Sequence, residues 1–167
     1  MIFATLIFFP LLMAYAAFSD LLTMTISNFV SIALVILFFI LALSLRMPVE
    51  EIGLHIGAGA LMLAVTFIMF TRHWIGGGDA KLASATALWF GFDHLFDYSL
   101  YAAAFGGFLT LGILVLRRHP LPQLLVKQPW LARLHEKGGG VPYGIALAIA
   151  GLMLYPQTSI WTAAIAH

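Results

Sequence analysis

The run Ile2-Phe3-Ala4-Thr5-Leu6-Ile7-Phe8-Phe9-Pro10-Leu11-Leu12-Met13-Ala14-Tyr15-Ala16-Ala17-Phe18-Ser19-Asp20 decides the fold. Residues 2–18 hold no charged side chain, and the run closes on a carboxylate. A carboxylate costs about 2.5–3.5 kcal/mol at the centre of a bilayer, so an acid beside a span is expected to have a partner or a task. A second acid has the same setting: Asp79, in Gly76-Gly77-Gly78-Asp79-Ala80-Lys81-Leu82.

Working outward, the whole chain shares the character of that first run. Its 167 residues are 62% hydrophobic and only 9% charged, with a mean hydropathy of +1.02. A soluble domain carries about 25% charge, so the composition reads as an integral membrane protein. A net charge of +1 gives no reason to expect nucleic acid as a partner. The absence of cysteine excludes disulfides, thiolate metal sites and cysteine nucleophiles. Ala14-Tyr15-Ala16 has the look of a signal cleavage site, but no basic segment precedes it, and the run is read as a retained span.

A bilayer core of roughly 30 Å needs about 20 apolar residues as helix. The expected spans are 2–18, 29–45, 52–70, 74–92, 100–116 and 141–164, in a single membrane domain covering 1–167. The predicted fold is therefore an all-α polytopic membrane protein, a bundle of six transmembrane helices. The fourth span is the shortest, because its helix is expected to start only after the glycines. About 13 residues at 1.5 Å each do not reach 30 Å, so the glycine stretch is expected to be sunk in protein or water.

With six spans, the connections after the first, third and fifth share one face. They hold Arg72, Lys81, Arg117, Arg118, Lys127, Arg133 and Lys137. The other face holds only Arg46, beside Glu50, Glu51, Asp93 and Asp97. The positive-inside rule puts the basic face, and with it both Asp20 and Asp79, in the cytoplasm. Residues 117–140, with prolines at 120, 122 and 129 and five basic residues among apolar ones, read as an interfacial segment. It is expected to anchor on the cytoplasmic leaflet with Trp130 at headgroup level, guidance of a substrate being the alternative. The glycines at 53, 57, 59, 106, 107, 112, 144 and 151 read as close-packing positions between helices.

Two carboxyls on one face could supply the base that activates water and the acid that protonates a carbonyl or leaving group. Repulsion leaves the pair holding one proton. Which carboxyl starts as the base is not legible. Three glycines ahead of Asp79 permit positive φ and close approach, so an extended peptide could lie along Gly76, Gly77 and Gly78. The plainer reading makes Asp79 an N-cap for a helix starting at Ala80. Other chemistry finds little support. There is no His-Glu-x-x-His or Gly-x-Ser-x-Gly. His55 reads as hydrogen-bonded within the bundle, and Asp93, His94 and Asp97 as a solvated loop. No metal or cofactor is expected. Besides a protease, the residues alone leave open a proton- or ion-coupled carrier and a non-catalytic scaffold.

Asp20 with Thr23-Met24-Thr25-Ile26-Ser27-Asn28, the Gly76–Leu82 stretch, and Val141-Pro142-Tyr143-Gly144-Ile145-Ala146 together resemble the type IV prepilin peptidase family. The match is nearest its short members serving tight-adherence (Flp) pili. The Gly-x-Gly-Asp signature is shared by intramembrane aspartyl proteases. The resemblance implies a six-helix bundle in the bacterial inner membrane that cuts the short basic leader from a prepilin at the cytoplasmic face. It makes Asp20 and Asp79 the catalytic pair. It also implies a prepilin and membrane lipid as partners, and pilus assembly proteins could be others. Asn28 and Lys81 match recurring family positions without an assigned role. Ile26-Ser27-Asn28 departs from the usual Ile-Pro-Asn, which is expected to soften the turn into the second span. The cysteine-bearing domain of the large members, linked to N-methylation, has no counterpart here, so a peptidase without methyltransferase is expected.

Overall fold

The computed structural model describes residues 2–120 and 127–165, with side chains from Leu6 onward. Leu121, Pro122, Leu124, Leu125 and Val126 of the expected interfacial segment, and His167, lie outside the described residues. Those described are helical with short connections, and no strand occurs among them.

The first helix, α1, runs Ile2–Thr23, longer than the apolar run because polar Ser19, Asp20 and Thr23 continue its last turn. It stops where Met24 adopts φ 56 and its N–H returns to the Asp20 carbonyl at 2.8 Å. Hydroxyls brace the turn that follows. Ser19 Oγ donates to Thr25 O at 2.8 Å and Thr23 Oγ1 to Ser19 O at 2.7 Å. Helix α2, Asn28–Ser44, is N-capped by Ser27, whose Oγ accepts the Phe29 N–H at 3.2 Å. The serine that replaces a proline therefore supplies a cap of its own. Val30, Leu34, Phe38, Leu41 and Ala42 form the buried stripe of α2.

Helix α3 is Val49–Thr71 and α4 is Gly77–Phe90. From Ala80 to Phe90 every residue of α4 except Lys81 is buried, and it packs against α2, α3, α5 and α7. Ala80, Ala83, Ser84, Ala85 and Ala87 let these neighbours come close. At 14 residues α4 rises about 21 Å, short of a bilayer core. Gly91, at φ 60, ends it; a Cβ there would meet the His55 ring at 3.1 Å. His55 is hydrogen-bonded inside the bundle through Nδ1 and the Leu88 carbonyl, 2.7 Å apart.

Helix α5 covers Leu95–Leu116, and a short α6 covers Pro129–His135. The expected last span is broken. Helix α7, Tyr143–Leu154, gives way to a 3-10 turn over Tyr155–Gln157 and then α8, Ser159–Ile165, bent by 47°. Pro156 lacks the N–H that an unbroken helix would need there. An aromatic cluster of Phe9, Phe38, Trp89 and Tyr155 locks α1, α2 and α4 to this turn, Phe9 stacking on Tyr155 at 4.3 Å.

Among the described residues three helices, Leu6–Thr23, Val49–Thr71 and Leu95–Leu116, are long and apolar enough to cross a membrane. The bent pair makes a fourth, and α2 is apolar but only 17 residues long. The chain is an all-helical integral membrane protein whose short α4 sits at the centre.

Wholly buried Ala87 makes that centre testable. Ala87→Leu should overpack it and destabilise the fold by about 1–3 kcal/mol, seen as an earlier unfolding midpoint in detergent. An unchanged midpoint would mean that α4 is not tightly enclosed.

Candidate active site

Asp20 sits in the last turn of α1, 5% exposed. Its Oδ2 accepts the Gly144 N–H at 2.7 Å, across 124 residues of sequence. Gly144 belongs to the first turn of α7, where the N–H groups have no carbonyl upstream in the helix. Asp20 thus satisfies one orphan donor of α7 and meets the positive end of its dipole.

Asp79 repeats the arrangement at α4. It lies in the first turn of that helix, outside the helices long enough to cross the membrane. Its Oδ2 accepts the Gly76 N–H at 3.2 Å. The expected N-cap role is corrected on one point. The helix starts at Gly77 rather than Ala80, so Gly76 is the N-cap and Asp79 the third helical residue, reaching back to the cap N–H.

The glycines need a second correction. None of Gly76, Gly77 and Gly78 has positive φ, and only Gly76, at φ −73 and ψ 151, is extended. Their value is close approach. A Cβ on Gly76 would meet Asp79 Oδ2 at 2.9 Å, one on Gly77 the Phe70 ring at 3.3 Å, and one on Gly78 the Ile26 Cβ at 3.1 Å.

Ile26 links the two halves. It packs on Gly78, and its Cδ1 lies 2.8 Å from where a Cβ on Gly144 would stand. A Gly144 Cβ would also meet Asp20 Oδ2 at 2.8 Å. The α1–α2 connection, the start of α4 and the start of α7 therefore converge on one point, and the carboxyls are close enough for charge on one to act on the other. Burial first, and then the Asp20 charge, push the Asp79 carboxyl up to about 7, against the lowering hydrogen bond from Gly76.

Four supporting residues were not singled out for the site by the sequence. Gly144 has no role assigned from sequence beyond close packing and its place in the third quoted motif. Tyr143 lies in the third quoted motif; its hydroxyl donates to the Ala102 carbonyl at 3.1 Å, and its ring covers Gly106, where any Cβ would collide with it. Arg117 donates from Nε to Leu134 O at 2.7 Å and from Nη2 to Gly140 O at 2.9 Å. Helix α5 thus holds both ends of the stretch from Gly140 to Tyr143 that delivers the Gly144 N–H. Only a glycine-spaced motif hinted at this, because its partners are remote in sequence. Lys81 Nζ donates to Asn28 Oδ1 at 2.9 Å, tying α4 to the start of α2. His94, from the loop set aside above, places Nε2 3.0 Å from the Gln157 carbonyl.

A family model described as the type IV leader peptidase family matches residues 7–111, a stretch that holds both aspartates. The chain belongs to that family. No curated protein and no solved structure matches it. Membership makes the chain a leader-peptidase-like protease of aspartic type, and the convergence of Asp20 and Asp79 is the feature of its fold that suits this chemistry.

The coupling between the two carboxyls can be read directly. In Asp20→Asn the neighbouring charge is gone, so Asp79 should titrate below about 7 in a carboxyl-resolved infrared titration. A titration unmoved by the substitution would show that the two groups do not interact.

Proposed function

We propose that this protein is a membrane endopeptidase that cleaves the leader of type IV prepilins, of the tight-adherence (Flp) kind, at the cytoplasmic face. Asp20 and Asp79 form its catalytic pair. The observation that carries the reading is their convergence, each oxygen held by a backbone N–H at a helix start.

The geometry favours a division of labour. Asp79, raised to about 7, keeps its proton near neutrality. Asp20, held by the shorter bond from Gly144, acts as the base. Asp20 takes a proton from water, whose oxygen bonds to the scissile carbonyl carbon while Asp79 protonates the carbonyl oxygen. The resulting diol collapses as Asp20 passes its proton to the departing nitrogen. The C–N bond breaks, and a hydroxyl proton returns to Asp79.

Gly76, Gly77 and Gly78 would bind the substrate. The N–H groups of Gly77 and Gly78 open α4 and have no upstream carbonyl to meet. The faces without side chains are filled by Asp79, Phe70 and Ile26, so it is these N–H groups that a peptide carbonyl would meet. The cytoplasmic placement rests on the charge asymmetry between the two sets of connections. A six-crossing arrangement accounts for that asymmetry, with α2 and the part of α4 beyond its first turn as short crossings, so that Asp79 stands at the membrane edge. Cleavage without N-methylation is part of the same proposal, and pilus assembly proteins would be partners of the product.

The test gives purified protein in lipid a prepilin with its leader, beside Asp20→Asn and Asp79→Asn. Each variant should lose about 10²–10⁴-fold in rate; cleavage surviving in both would remove the aspartyl mechanism. Wild-type activity should fall as pH rises through about 7, where Asp79 gives up its proton. It should fall again in acid, once Asp20 is protonated too. A profile flat across that range would contradict the assignment of acid and base.

A further inference from the structure

A groove of about 710 Å³ runs between α2 and α3 with α4 as its floor. Its chemistry is graded along its length. One end holds Asn28, Ser31, Lys81 and Ser84; the remainder is apolar, from Ile32 to Phe39 on α2 and from Ile56 to Leu63 on α3. The eleven steps from Asn28 to Phe39 rise about 16 Å, so the groove has a polar head and a long hydrocarbon wall. Ile32, Ile36, Ile56 and Leu63 are exposed along it.

The polar end has unspent capacity. Lys81 is exposed and its ammonium donates to the neutral Asn28 amide oxygen rather than to a carboxylate. An ammonium has three donors, so two remain. The Ser31 hydroxyl is buried at the same end with no hydrogen-bond partner.

Two arguments separate this groove from the peptide site. Lys81 and Asp79 stand two positions apart on α4, which turns their side chains about 200° from each other. A helix lying in the groove would therefore end away from the carboxyl pair. The ammonium would also repel the basic leader of the substrate proposed above. An anionic headgroup fits that same charge, and basic pockets between membrane helices on the cytoplasmic side are established headgroup sites.

We propose that the α2–α3–α4 groove binds one anionic phospholipid, its phosphate at Lys81 and Asn28 and an acyl chain along Ile32, Val35 and Phe39. The choice of lipid over peptide rests in part on the substrate proposed above, whereas lipid retention is measured without substrate and is decided separately from cleavage. The probes are phosphatidylglycerol and phosphatidylcholine, added separately to the full chain in neutral detergent, with bound lipid counted by native mass spectrometry. One phosphatidylglycerol should be retained per chain, about fivefold more tightly than phosphatidylcholine. Lys81→Gln should abolish that preference, and Lys81→Arg should keep it. Ala60→Trp, which plugs an exposed part of the wall, should lower retention of both lipids. Three results would overturn the proposal: an intact preference in Lys81→Gln, undiminished binding in Ala60→Trp, or a photo-crosslinker at position 60 that captures a prepilin helix instead of lipid.

Discussion

The hydrogen bond from the Gly144 N–H to Asp20 is the contact on which the rest of the site depends. A carboxyl nearly closed off from solvent at a membrane edge needs donors, and the start of α7 supplies one that no carbonyl of its own helix can use. That single requirement explains several other features. Gly144 has no room for a Cβ, Ile26 must enter between two glycines, and the stretch before Gly144 must be held at a set height. Arg117 and Tyr143 do the holding, both by way of α5.

Asp79 meets the same requirement by a local route, turning back on the N–H that opens its own helix. Two carboxyls at two helix starts are thereby brought to one place, where the charge of Asp20 bears on Asp79. Membership of the leader peptidase family and this geometry point to the same chemistry for independent reasons, one from sequence similarity and one from the positions of oxygen and N–H groups.

Helix α4 organises both faces of the molecule. Its small residues admit four neighbouring helices, and its N-terminal end carries Asp79 on one side and Lys81 on the other. The peptide chemistry and the proposed lipid site therefore share a scaffold without sharing a surface. A lipid seated against Asn28 would bear on the α1–α2 connection, and so on Ile26, which packs between Gly78 and Gly144.

Much was legible before any coordinates. Composition determined the membrane class, the apolar runs located the helices to within a few residues, and the surroundings of Asp20 and Asp79 marked them as the acids to explain. Local signals failed where a helix ended for reasons outside its own periodicity. Gly77 and Gly78 joined α4 because Asp79 closes its first turn. The last expected span broke at Pro156, and α5 began at Leu95 because residues 95–99 continue its turn despite Asp97. The identity of the groups that hold the carboxyls could come only from tertiary structure. A hydrogen bond between residues 20 and 144 is set by how α1 and α7 pack, and the glycine that permits it is, taken along the chain, indistinguishable from one that merely lets two helices touch.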